Sequence, residues 1–372
     1  MDNNLQAELG TPIDQRIKPL QIDSWVASSL LQKAIRRGAE QVAQAAALTF
    51  FANRRSTIWR RLITIAFEDI GVASPQFVAL TASVGTDQAF RRSLGEDLTV
   101  ACNLSRILAS ATKSRAAEHL VTIAKYHVSL DSVRAAAVAR SLAESVFAAV
   151  HEAVPVGERA LALMCAWGLI GCKSTKVATC VQDLWAACSA AGVSEELVNA
   201  AVLATKKVRD PIIPAACLAW LIAKEKTTVL ESATPQWLDI QGIPSYAFDK
   251  HTLLGRRAIR GLLKYSSSIR ECLVSHADLA RINEAAYMAA FYTDAAPLAR
   301  RLTCQGGDEL ERMAIEADLM RVGVIRESVP AVLQVFSERL DHLNKLRAHF
   351  FFRERGFVDA ATALLRHEEG TP

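Results

Sequence analysis

The chain lacks the cysteine spacing that staples small secreted domains or holds zinc: eight cysteines occur, none in a C-x-x-C pair. Cys165, Cys172, Cys180, Cys188 and Cys217 sit inside apolar runs instead, which reads as reduced, buried thiols and argues against a disulfide framework or a metal site. His342, His349 and His367 show no His-Glu-x-x-His spacing, so a zinc-protease centre is not expected either. No basic, apolar and small-residue sequence opens the chain as a secretory leader would. The most apolar windows, 161–170 and 211–223, fall short of the roughly 20 residues needed to span hydrocarbon, so no membrane partner and a cytoplasmic location are expected. A phosphate-gripping loop is missing as well. Gly168-Leu169-Ile170-Gly171-Cys172-Lys173-Ser174-Thr175 imitates one, but Cys172 separates Gly171 from Lys173 and no β-branched strand leads into the turn. Nucleotide hydrolysis through this segment is therefore not expected, and neither is a cofactor.

What remains is an apolar, helix-favouring chain. Hydrophobic residues make up 51% and aromatics only 6%, with Ala, Leu, Val and Ile in long glycine-poor runs, a composition of close-packed helices. We expect an all-α fold, a multi-helix bundle of stacked helical hairpins. Its divisions are expected at 1–22, an extended arm with Gly10, Pro12 and Pro19; 23–127, a first helical domain; 128–230, a helical-hairpin region; and 245–372, a C-terminal helical domain. Residues 129–149 read as one amphipathic helix with Arg134, Arg140 and Glu144 on its polar side.

The densest local signal is Trp59 to Gln76. Leu62, Ile65, Ala66 and Asp69-Ile70 run at helical spacing, Gly71 is suited to a left-handed helix end, and Ser74-Pro75 suits the start of the next helix. The string resembles the R-R-L-x-x-x-A-x-E-D-I-G-x-A-x-P element that lies C-terminal to the ATPase in the replication-associated recombination protein A (MgsA) family of AAA+ proteins. Thr112-Lys113-Ser114-Arg115 resembles that region's P-K-S-N, with Thr112 in place of Pro and Arg115 in place of Asn. The resemblance covers about residues 24–125. It implies a clamp-loader-collar-like helical module that supports self-assembly, and hence a non-catalytic oligomerisation or adaptor role in DNA replication, recombination or repair without the family's motor. A homo-oligomer, with DNA or replication and repair proteins as partners, is what it leads one to expect.

A net charge of +4 is too mild to indicate nucleic-acid binding by itself, so clustering must carry that argument. Arg256, Arg260 and Lys264 fall at i, i+4 and i+8, with Arg257 beside them, forming a basic helix stripe that suits phosphates, with Tyr246 or Tyr265 as base-stacking partners. The same row also suits a solvated face paired to neighbouring carboxylates. Arg36-Arg37, Arg54-Arg55, Arg60-Arg61, Arg91-Arg92 and Arg300-Arg301 recur near helix ends and carry the same two readings. Arg60 and Arg61 are further candidates for nucleic-acid contact, or for pairing with Glu68 or Asp69 along one helix. Asp249 and His251 place a carboxylate two residues from an imidazole. They read as a helix cap with Thr252 at the third position, as a phosphate contact, or as the acid–base centre of an unrecognised enzyme. Phe350-Phe351-Phe352 reads as core or as an oligomer contact.

Overall fold

The computed structural model describes residues 3–168, 177–223 and 227–356. Helices dominate, as expected. In the first part they are α1 (Asn3–Gly10), α2 (Ser24–Arg36), α3 (Glu40–Arg54), α4 (Thr57–Ile65), α5 (Pro75–Thr86), α6 (Gln88–Leu94), α7 (Asp97–Ser110) and α8 (Ala116–Tyr126). The middle part holds α9 (Asp131–Ala139), α10 (Leu142–Val150), α11 (Val156–Ala166), α12 (Val177–Ala190), α13 (Glu195–Thr205) and α14 (Ile212–Ile222). The last part holds α15 (Leu253–Tyr265), α16 (Ser267–His276), α17 (Ile282–Ala290), α18 (Gly307–Met320), α19 (Val329–Glu338) and α20 (Leu340–Glu354). Two small antiparallel pairs complete the described fold: β1 (Thr228–Glu231) with β4 (Arg300–Thr303), and β2 (Asp239–Ile240) with β3 (Ile243–Pro244).

Local chemistry explains where several helices start. Asp23 caps α2, its carboxylate accepting from the amides of Trp25 at 2.7 Å and Val26 at 3.0 Å. The helix expected over 129–149 is two helices. Ser141 accepts from the amide of Glu144, and Glu144 reaches back to the amide of Ser141 at 2.7 Å; this reciprocal cap begins α10 and ends the run from α9. The arm is not extended throughout, because α1 buries Leu9 against α7 and α6.

Buried apolar residues form two clusters. One takes in residues from Leu9 to Leu254 together with Leu310, Ala314, Ala348 and Phe351, so 23–127 and 128–230 share a core. The other runs from Ala258 to Leu346. Backbone bonds stitch the chain's ends together: the Lys113 amide donates to Arg300 O at 2.9 Å, and the Ala299 amide to Arg36 O at 3.0 Å. Phe351 is buried and stands 5.7 Å from Phe248, so the middle ring of the phenylalanine triplet belongs to the core. Among the described residues no helix is long and apolar enough to cross a membrane.

Candidate functional site: a charged cavity between the two ends of the chain

Helix α2 turns an unusual face inward. Ser29, Gln32, Lys33 and Arg36 occupy i, i+3, i+4 and i+7, one side of the helix, and all four are buried. Burial of such groups is costly unless they are paired, and the partners come from three other places in the chain.

The first partner is the Glu68-Asp69 corner. After α4 the helix widens into a π-turn, Ala66–Ile70, closed by Gly71, whose amide bonds back to Ala66 O and whose φ of +47° suits glycine. Asp69, fully buried, accepts from Arg36 Nε at 2.7 Å and Gln32 Nε2 at 2.8 Å, with Arg115 Nε 3.5 Å away. Glu68 accepts from Arg36 Nη2 at 2.7 Å and lies 4.0 Å from Arg115 Nη2. Burial disfavours the Arg36 charge, but Asp69 and Glu68 outweigh it and hold that guanidinium's pKa above its ordinary value.

A second π-turn, Phe291–Ala295, mirrors the first from the last part of the chain. Its Asp294 is buried between Arg37 Nη2 and Arg347 Nη2, each 2.7 Å from one carboxylate oxygen, while Arg36 Nη1 donates to Ala295 O at 3.1 Å. Consecutive arginines at the end of α2 thus each grip the aspartate of a different π-turn.

The third partner is the loop before α15. Asp249 is buried and receives Lys33 Nζ at 2.9 Å, His251 Nδ1 at 2.8 Å and the Ser29 hydroxyl at 3.2 Å. Burial would raise its pKa, yet Lys33 and His251 hold the carboxyl well below the usual range. Burial pushes Lys33 down to about 8 against the pull of Asp249. The cap expected of Asp249 is made by Thr252, whose hydroxyl accepts from the Gly255 amide at 3.1 Å. Gly255 is required there, since a Cβ would meet Asp249 O at 2.0 Å.

These elements enclose an open cavity of about 550 Å³, within the size range of small-ligand sites. Its wall continues with Arg61, Glu118, Lys125, Lys250, Phe291 and Asp318. The Phe291 ring carries Lys250 Nζ at 4.0 Å, Arg115 at 5.6 Å and Arg36 at 5.8 Å from its centroid. Tyr292 donates to Asp318 at 2.7 Å, and Arg321 pairs with the other oxygen at 2.7 Å. Trp25, 72% exposed, and Tyr126, 41% exposed, stand on the rim. A second cavity of about 770 Å³ adjoins, sharing Trp25 and His251. A larger one, about 910 Å³, lies beside Phe147 and Leu221, but its wall is mainly apolar and no network of paired buried charges faces it among the described residues.

Three cations on the charged cavity have no carboxylate within ion-pair distance among the described residues: Arg61, Lys125 and Lys250. Arg61 donates to Gln32 Oε1 at 2.6 Å, not to Glu68 or Asp69 as spacing along one helix suggests. Its Nε, and that of Arg115, are buried donors without a hydrogen-bond acceptor among the described residues.

The sequence-level candidates therefore divide. Asp249, His251 and Arg61 meet at the cavity, while Arg60 is exposed outside it. Arg256, Arg260 and Lys264 form an exposed row along α15, and Arg256 Nε donates to Lys250 O at 2.6 Å, so the row starts at the cavity's own loop. Arg257 is drawn aside to Glu354 and the Phe350 ring. Tyr246 is buried beneath Arg37, 4.2 Å from its ring, which removes it as a stacking platform; Tyr265 stays exposed. Arg36 and Arg37 are interior, and Arg91 is buried against Trp59 and Asp97, so these three do not form a surface. Arg301 is taken up by Asp308 and Glu311, Arg300 by Glu231. Cys172 and most of the Gly168–Thr175 string lie outside the described residues, as do the Cys180 side chain and His367. Among the described residues, no group of three or more His, Cys, Asp or Glu is placed to hold a metal ion.

Lys33, Glu118, Phe291 and Asp318 were invisible as site residues in the sequence. Each sits singly in a helical pattern, where a lone charge reads as solvated and a lone ring as core. The two π-turns share only an Asp at the fourth position, Asp69 of Ala66–Ile70 and Asp294 of Phe291–Ala295. Compared with family models, curated proteins and solved structures, the chain finds no match.

Proposed function

We propose that this chain is a non-motor helical protein of DNA replication, recombination or repair, an assembly or adaptor module that touches nucleic acid at its charged cavity. One observation carries the reading. The two carboxylates of the string that resembles the recombination-ATPase family, Glu68 and Asp69, are not ornaments of a turn but the inner anchors of the cavity wall. The exposed row Arg256, Arg260 and Lys264 leads away from that cavity along α15, over about 12 Å of helix. Binding through this row has a measurable consequence. On single strands the slope of log affinity against log salt is about −0.7 per neutralised phosphate, so replacing the three residues with Ala lowers its magnitude by about 2. Salt-independent binding, or no binding to single- or double-stranded DNA, counts against the reading. Self-assembly is tested by sedimentation, where the reading expects a defined oligomer and a monomer throughout the micromolar range opposes it.

A second reading, an enzyme centred on Asp249 and His251, is favoured by one specific geometry. Buried Asp249 fixes His251 Nδ1, and Nε2 has no hydrogen-bond partner among the described residues, the arrangement of an oriented general base. A screen of phosphate- and carboxylate-ester substrates tests it, with His251→Asn expected to abolish turnover. Turnover that survives the substitution, or none in the wild type, rejects it.

A further inference from the structure

The two buried Nε donors are the observation that says what the cavity takes. A buried, unmatched N–H is costly, and native proteins rarely leave one without a partner. Among the described residues three arginine Nε atoms lack a hydrogen-bond acceptor, and two of them, on Arg61 and Arg115, line the same cavity but come from α4 and the start of α8; Arg115 keeps Asp69 as a counter-charge 3.5 Å away without a hydrogen bond to it. Several neighbours on the wall are paired: Arg36 with Asp69 and Glu68, Lys33 with Asp249, Arg321 with Asp318. The surplus is cationic, since Lys125 and Lys250 add to Arg61 without carboxylate partners among the described residues. Among the described residues Lys250 Nζ is met by Met288 Sδ at 3.1 Å and the Phe291 ring, both poor substitutes for an anion. At the rim, Trp25 offers a mostly bare indole shared with the adjoining cavity.

We propose that the cavity binds a phosphomonoester attached to a nucleoside, its phosphate against Arg61, Arg115 and Lys250 and its base on Trp25. A terminal phosphomonoester carries more charge than the internal diesters of a strand, which suits a wall where Arg61, Lys125 and Lys250 have no carboxylate partner among the described residues. Guanidinium groups from two helices and an ammonium supply donors from several directions, as a phosphate with three free oxygens requires. The indole supplies a stacking face that accepts any base. This deepens the nucleic-acid part of the function proposed above and rests on it for the strand, though not for the phosphate.

Calorimetry on the full chain tests it with dTMP, thymidine, and a short single strand bearing a 5′-phosphate, a 3′-phosphate or hydroxyl ends. A phosphate-ended ligand is expected to bind on the order of 10- to 100-fold more tightly than its hydroxyl counterpart, by conversion of one or two charge-assisted bonds. Arg61→Gln and Lys250→Met should each remove most of that preference, while Trp25→Ala should weaken both forms alike. Far-UV circular dichroism establishes that each variant is folded, and Lys250→Met, which removes no hydrogen bond to oxygen, serves where Arg61→Gln is not. If dTMP binds as tightly as the phosphorylated strand, the source is free nucleotide; if the strand is required, it is a strand end; either supports the site. Strand binding that ignores the terminal phosphate and both cavity substitutions overturns the inference and leaves the nucleic-acid reading standing. Binding of dTMP with no strand binding upholds the site and overturns that reading.

Discussion

Asp69→Ala is the sharpest perturbation of this structure, because the side chain it removes has no exposure and at least two cationic or polar donors aimed at it. Arg36 Nε at 2.7 Å and Gln32 Nε2 at 2.8 Å lose their acceptor, and Arg115 Nε, 3.5 Å away, loses its counter-charge. Arg36 and Arg115 are both nearly inaccessible, so solvent does not replace the carboxylate. Breaking a buried pair from one side costs about 3–5 kcal/mol. Asp69→Asn keeps an oxygen for Arg36 and gives up only the charge, at a cost of about 2 kcal/mol. Glu68→Ala, at a half-buried position, should cost about 1 kcal/mol or less. Urea denaturation followed by circular dichroism orders the three, and a double-mutant cycle of Asp69→Ala with Arg36→Ala should return a coupling of about 2 kcal/mol. Asp69→Ala within about 1 kcal/mol of wild type, or a vanishing coupling, contradicts the network.

Glu118 supplies a pH-dependent prediction: burial, with Glu68 nearby, pushes its carboxyl up to about 7. The folded state then holds a proton that the unfolded state releases between about pH 4.5 and 7, so this group's contribution to stability falls as pH rises through that window. His119, held well below its ordinary pKa by burial and Arg115, slopes the opposite way, so the difference between wild type and Glu118→Gln in urea midpoint against pH isolates Glu118. A constant difference from pH 4.5 to 7 refutes it. Burial lowers Lys33 and Lys250 to about 8, which makes stability rise from about pH 8 towards 10.5, and Lys250→Met should reduce that rise. Gly255→Ala should destabilise by about 1–3 kcal/mol through the collision with Asp249 O, and a neutral result contradicts the close approach. Ser141→Ala should cost about 1 kcal/mol by uncapping α10, read in the same denaturation assay.

Much of the fold was readable because helical periodicity and turn chemistry are local. The helix end at Gly71 and the start at Ser74-Pro75 both fall where the residues place them. The cap before α10 was equally readable, since Ser141-x-x-Glu144 spells it, but an apolar period running through it suggested continuity. The site was legible only in fragments. Glu68-Asp69 and Asp249–His251 stood out as strings, whereas their joint meaning depends on α2, whose polar face carries nothing to distinguish an interior from a solvated one. Burial of Lys33, Arg36 and Arg37 follows from one π-turn 33 residues away and from a loop and a second π-turn each more than two hundred residues away, and no spacing rule reports such encounters. Capping is the usual work of an aspartate before a helix, but Lys33 claims the Asp249 carboxylate and Thr252 takes the amide.

The claim at the centre of this account is that the charged cavity is where the protein meets nucleic acid. Hydrogen–deuterium exchange of the full chain, with and without a saturating phosphorylated single strand, addresses it directly. The account predicts slowed exchange in the amides of residues 25–33, 61–71 and 249–256, which form the cavity's walls and rim. Unchanged exchange there, with protection confined to other surfaces such as residues 142–152, would contradict it.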